Sequence, residues 1–88
     1  MEKEYIKTKV LSIIRKIVKN STGKVIDINN NISLINSGLI DSLGMVVFIQ
    51  ALIKKFHINI EFSELTADNF DSIESIVEFV INKKSGEK

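Results

Sequence analysis

The run Gly38-Leu39-Ile40-Asp41-Ser42-Leu43-Gly44, continuing as Met45-Val46-Val47-Phe48-Ile49, decides how this chain folds. It reads as a loop that delivers a serine to the first turn of a buried helix. Asp41 suits the N-cap, where its carboxylate accepts from backbone N–H groups that the first turn leaves free. Ser42 then sits where those N–H groups and the helix dipole favour negative charge, so its hydroxyl is well placed to carry a phosphate. Gly44 stands out, because glycine inside a helix costs about 1 kcal/mol relative to alanine. Close approach of another group to the backbone beside Ser42 would explain it. Asp-Ser at a helix start is more often plain capping than a modification site, so the surrounding chain has to decide.

Upstream, Ile6, Val10, Ile13, Ile14 and Ile17 recur at helical spacing, with Leu11 and Val18 on the flank. They predict a first helix of about four turns, from near Lys3 to near Lys19, ended by Asn20-Ser21-Thr22-Gly23. From Lys24 to Ile40 no period holds. Val25-Ile26-Asp27-Ile28 has strand-type residues but no second strand to pair with, and Asn29-Asn30-Asn31 marks a turn. Ile32, Leu34, Ile35 and Leu39 are expected to anchor this long loop on a helical core. A connection of that length in a small domain is often functional, and this one ends at Ser42.

Downstream, a second helix is expected from Ser42 to Phe56. Met45, Phe48, Ile49, Leu52 and Phe56 form its core stripe, and Leu43, Val46, Val47, Gln50 and Lys54 the opposite one. That second stripe is unusually apolar for an exposed surface: either the helix is buried nearly all round or the patch docks on a partner. Docking is expected, because complete burial is hard to arrange in so small a domain. His57-Ile58-Asn59-Ile60 is a linker, with His57 terminating the helix. Phe62 to about Asp68 reads as a short helical turn capped by Ser63. A final helix of about three turns follows, capped by Ser72 or Asp71 and built on Ile73, Ile76, Val77 and Val80, with Phe79 and Ile81 flanking. Lys83 to Lys88 is expected to fray.

With 88 residues, 44% hydrophobic and 26% charged, this is one small globular domain with a thin core. The fold class is all-α: a small four-helix bundle of three main helices and one short helix, with a long loop between the first and second. The expected domain is 1–88, with its core at about 3–82. The absence of cysteine removes disulfides and thiolate metal sites, and a single histidine excludes Cys-His catalysis, so no metal site is expected. Position 40 is Ile, so Ser42 does not lie in a G-x-S-x-G elbow. Ser42 has no evident base beside it, and an unassisted serine is a poor nucleophile. The chain reads as a non-enzyme.

No apolar run approaches membrane-spanning length and the N-terminus is charged, so a cytoplasmic monomer is the expectation. Net charge is +1, with basic residues concentrated from Lys3 to Lys24 and acidic ones from Glu61 to Glu78. The lysine-rich face lacks a dense arginine patch and interleaved aromatics, which argues against nucleic acid.

GLIDSLGM, its position near mid-chain, and the pattern on both sides resemble the acyl carrier protein family. The closest motif match is the D-alanyl carrier type, through the G-L-h-D-S-h-G run (h apolar) and the later Phe-Ser-Glu-Leu…Asn-Phe-Asp stretch. The resemblance covers about Ile6 to Ile81. It implies that Ser42 carries a 4′-phosphopantetheine arm, moved from coenzyme A by a phosphopantetheinyl transferase, with Asp41 and Leu43 beside the attachment point. The arm's thiol would then hold an acyl or aminoacyl group as a thioester. An adenylating ligase or acyltransferase would load it, and a downstream acyl-accepting enzyme would take it. Leu43, Val46, Val47 and Gln50 would form the docking patch. Fatty-acid carriers usually line this helix with acidic residues, whereas this helix has none after Asp41 and ends in Lys54-Lys55. That tilts the cargo toward an aminoacyl or D-alanyl system, with fatty-acid and polyketide synthesis left open. The alternative is an unmodified helical interaction domain that uses the same apolar stripe.

Overall fold

A computed structural model describes residues 2–25, 27–29 and 31–86. Among these residues the regular structure is helical throughout: α1 (Glu2–Thr22), α2 (Ser42–Phe56), a 3₁₀ turn (Phe62–Glu64), α3 (Ala67–Phe70) and α4 (Ile73–Lys84). The expected all-α bundle with one long first loop is what the chain forms.

Helix α1 buries Ile6, Val10, Ile14 and Val18, one row with a strict four-residue step. Ile13 and Ile17, expected in the core, are only half-buried, and Val18, expected on the flank, is buried. The row rather than the wider stripe faces the bundle, and Ile13 and Ile17 fill its side toward α2. The helix also runs longer than the sequence suggests, through Asn20, Ser21 and Thr22. Polar caps extend it: the Thr22 hydroxyl donates to the Val18 carbonyl at 2.8 Å. Gly23, with φ +78°, donates its N–H to the Lys19 carbonyl at 2.7 Å.

The α1–α2 connection holds no strand among its described residues. Val25 is 76% exposed while Ile28 is buried; Ile26 and Asn30 lie outside the described residues. Of the expected asparagine turn, whose middle residue lies outside the described residues, the Asn29 side-chain oxygen accepts from the Asn31 N–H at 3.0 Å. Leu34 is fully buried and Ile32 and Leu39 half-buried, as anchors should be. Ile35 is not an anchor, since it is 49% exposed, and Ile40 at 2% takes that part.

What fixes the loop is polar, and it comes from Asp71. The Asp71 carboxylate accepts from the Ser33 hydroxyl at 2.6 Å and from the Ile35 N–H at 3.0 Å. The Asp71 carbonyl accepts from the Leu34 N–H at 2.7 Å. Asp71 is therefore not the cap of α4. Ser72 is, accepting from the Ser75 N–H at 3.1 Å, which leaves the aspartate free to reach the loop.

Helix α2 buries Phe48, Leu52 and Phe56, with Met45 and Ile49 half-buried against the core. His57 ends it in the left-handed conformation, φ 56° and ψ 45°, as the expected terminating residue. The turn expected from Phe62 to about Asp68 splits in two. Leu65 leaves helical geometry at ψ 72°, and Thr66 caps a new helix, α3, accepting from the Asn69 N–H at 3.4 Å. Ser63 lies inside the first piece and caps neither; the Glu64 carboxylate closes that turn on the Glu61 N–H at 2.8 Å. Phe70 of α3 packs on Phe79 of α4 with ring centres 4.9 Å apart, which draws the flanking Phe79 into the core. Lys83 and Lys84, expected to fray, are helical. Helix α4 continues through Lys84, because Lys83 is held at 2.8 Å by the Glu64 carboxylate in a largely covered ion pair. Glu87 and Lys88 lie outside the described residues.

Both engaged carboxylates titrate below their ordinary values. For Asp71 the Ser33 hydroxyl is the main cause, helped by the Ile35 N–H and opposed by desolvation. For Glu64 it is Lys83, then the Glu61 N–H. A depressed folded-state pKa adds stability above the unfolded-chain value, and that stability fades as pH falls through the folded-state value. Asp71→Asn is therefore expected to be less stable than the parent at neutral pH, by about 1–3 kcal/mol for a charged hydrogen-bond partner. In urea melts the difference narrows as pH falls from about 4 toward 2. A gap that stays constant over that range would show that the Asp71 charge does not hold the loop.

Candidate functional site

The loop is tied immediately before Ser42. The Ser37 N–H donates to the Ser33 carbonyl at 3.0 Å, the Gly38 N–H to Ile35 at 3.1 Å, and the Ile40 N–H to Leu34 at 3.1 Å. Gly38 takes φ +79°, a conformation other residues adopt at a cost, and so closes this turn. The Ile40 side chain is then buried while the next two residues, Asp41 and Ser42, face solvent. One buried side chain followed at once by an exposed pair is how the fold presents the serine.

Asp41 is the N-cap, with an extended backbone (φ −93°, ψ −175°), and its carboxylate accepts from the Gly44 N–H at 2.7 Å. Its carbonyl accepts from the Met45 N–H at 2.9 Å. Gly44 is explained by the same contacts. A Cβ there would stand 3.2 Å from the Asp41 carboxylate oxygen, 3.4 Å from an Ile40 methyl and 3.8 Å from an Ile17 methyl. The group that approaches the backbone beside Ser42 is thus the protein's own capping aspartate, with α1 closing in behind. Ser42 and Leu43, ahead of Gly44 in the first turn, keep the position in which a helix start favours an anion.

Beside the serine lies an open depression of about 460 Å³ lined by Ile35, Gly38, Ile40, Asp41, Ser42 and Met45. Its walls are mostly apolar, and the exposure of Ile35 belongs to this rim. Along α2 from the serine run the expected docking residues. Leu43 is 74% exposed, Val46 55% and Val47 50%, and Gln50 is exposed beside them. The structure brings Asp41, Ser42 and Leu43 together at one helix end and sets Leu43, Val46, Val47 and Gln50 on one outer face. His57, the single histidine, caps the far end of a 15-residue helix, about 22 Å away at 1.5 Å per residue, and cannot serve Ser42 as a base.

Sequence reasoning missed the residues that hold the site: Asp71 and Ser33, 38 positions apart, and Ile40 as the anchor. It also missed Phe62, which is 89% exposed on the 3₁₀ turn.

Compared with known families, residues 9–80 match the family described as the phosphopantetheine attachment site. The chain belongs to that family. Its domains are non-catalytic carriers to which a 4′-phosphopantetheine group is attached covalently. No curated protein sequence matches the chain. The residues at the start of α2 fit such a group: an exposed hydroxyl for the ester bond, a helix N-terminus for the phosphate charge, and an apolar depression alongside. The family's role as a carrier engaged in turn by other proteins agrees with the apolar face that α2 leaves uncovered. Among the described residues no helix is long and apolar enough to cross a membrane.

Loss of the Asp41 cap should cost about 1 kcal/mol. Asp41→Ala is expected to lower the melting temperature while Asp41→Asn leaves it nearly unchanged, as read by circular dichroism. Equal melting of all three proteins would remove the cap from the account.

Proposed function

We propose that Ser42 is the attachment point and that residues 1–88 act as one monomeric carrier domain in the cytoplasm. The arm is a phosphodiester on Ser42 Oγ, and its terminal thiol holds an acyl or aminoacyl cargo as a thioester. Asp41 orders the helix start, and Leu43 stands at the base of the arm. A phosphopantetheinyl transferase installs the arm, an adenylating ligase or acyltransferase loads it, and a downstream enzyme accepts the cargo. Each docks on the face formed by Leu43, Val46, Val47 and Gln50. The observation that carries this reading is an exposed serine in the first turn of α2, inside the span of the family match. With the neighbouring Asp41 carboxylate engaged on the Gly44 N–H and His57 at the far end of α2, this serine suits a substrate of a modifying enzyme better than a nucleophile of its own.

The cargo reading follows the surface. A docking helix with no acidic residue after Asp41 and with Lys54-Lys55 at its end favours a D-alanyl or other aminoacyl system over enzymes that recognise acidic carriers.

Incubation with coenzyme A and a broad-specificity phosphopantetheinyl transferase is expected to raise the intact mass by one phosphopantetheine group. Ser42→Ala should show no gain while keeping the parent's circular dichroism. Val46→Glu should keep its fold and slow the transfer about tenfold, as loss of a central apolar contact does at protein interfaces. A mass gain that survives in Ser42→Ala would overturn the assignment.

A further inference from the structure

Beyond the stripe that runs from Ser42, α2 has a second surface with its own chemistry. Lys54, seven residues past Val47, continues the exposed face toward the end of the helix, and Ala51, four past Val47, is half-buried beside it. Helix α2 runs back along α1: its start lies against Ile17, and Ala51 lies across from Ile13. Between the two helices is a groove of about 510 Å³ lined by Ile13, Lys16, Ala51, Lys54, Lys55 and His57. Half-buried Ile13 and Ala51 make an apolar floor, three lysines make the rim, and none of the lining residues is acidic.

Among the described residues Lys16, Lys54 and Lys55 form no ion pair; the pairs there are Lys3 with Glu78 and Lys83 with Glu64. Lys54 and Lys55 suit the C-terminal dipole of α2. Lys16 has no such reason, since α1 continues to Thr22. The two helices therefore focus positive charge from both sides onto one apolar floor, an arrangement that the net charge of +1 conceals.

We infer that this groove receives an acidic segment of a partner protein: an apolar side chain seats over Ile13 and Ala51, and flanking carboxylates meet Lys16, Lys54 and Lys55. The inference deepens the carrier reading and rests on it in taking the partner to be a protein that works at Ser42. From Val47 to Lys54 is about 10 Å along the helix axis, so a single partner face covers the apolar stripe and reaches the lysines. A protein fits better than an anionic bilayer. Its apolar lining residues, Ile13 and Ala51, are half-buried, so no large apolar side chain projects between the cations to enter a lipid surface.

The test uses a synthetic helical peptide with a central leucine flanked by glutamates on the same face, titrated at low ionic strength into the 88-residue chain labelled with nitrogen-15. Amide shifts are expected to centre on Lys16, Ala51, Lys54 and Lys55. They should fade as added salt brings the screening length to about 8 Å. The triple variant Lys16→Gln/Lys54→Gln/Lys55→Gln keeps the helix ends free of new charge, and it should bind the peptide at least about fivefold more weakly. A peptide with glutamine in place of glutamate should not bind. The inference is overturned if no shifts appear, if they centre elsewhere, or if the triple variant binds as the parent does. It is also overturned if phosphatidylglycerol vesicles bind more tightly than the peptide through the same lysines, or if sedimentation shows self-association that the triple variant abolishes. Transfer of phosphopantetheine to both proteins is followed by mass. A gain at Ser42 without peptide binding removes only the groove inference, whereas no gain in the parent removes the carrier reading beneath it.

Discussion

The short contacts from Asp71 to Ser33, Leu34 and Ile35 are the constraint on which the site depends. A loop between α1 and α2 with no helix or strand among its described residues has many conformations to lose, and apolar anchors alone would leave its backbone groups unpaired. One aspartate, freed from capping duty by Ser72, answers for two backbone N–H groups and a hydroxyl in the middle of that loop. Leu34 and Ile40 then enter the core, and Ile40 fixes the direction in which Asp41 and Ser42 emerge. The helix that follows starts where it does because the loop before it has been immobilised from the far end of the chain.

The start of α2 accordingly combines a rigid backbone with an exposed side chain. Asp41 and Gly44 form a compact cap that leaves the serine uncovered, and the two sides of α2 divide the work. Phe48, Leu52 and Phe56 hold it to the bundle, while Leu43, Val46 and Val47 remain outside. An apolar outer face at about half to three-quarters exposure is costly for a free domain unless another protein covers it in turn. The docking role proposed for this face is consistent with the chain's membership of a family of phosphopantetheine-bearing carriers.

Much of this was legible from residue order because the helices obey local rules. The step from Phe48 to Leu52 to Phe56, the Asp41 cap and the His57 stop each follow from spacing or chain geometry within a turn or two. Where sequence reading failed, the deciding partner was distant or polar. Asp71 looked like a helix cap because nothing in Phe70-Asp71-Ser72 indicates a serine 38 positions earlier. Lys83 looked like tail until Glu64 was found beside it. Ile35 looked like core because an apolar residue in a loop does not state whether it anchors the loop or lines a surface depression. The split at Leu65 was hidden for another reason, since Ser63 and Thr66 are equally good caps by type and only the packing of Phe70 on Phe79 selects the second.

The central claim is that Ser42, and no neighbouring hydroxyl, takes the arm. The tryptic peptide spanning residues 25–54 holds three serines, Ser33, Ser37 and Ser42, and no threonine. Fragment-ion mass spectrometry of this peptide from the modified protein is the most direct test. The account predicts that the added phosphopantetheine mass appears only in fragments that contain Ser42. Fragments placing it on Ser33 or Ser37, whose hydroxyls donate to Asp71 and to the Leu34 carbonyl, would contradict the account.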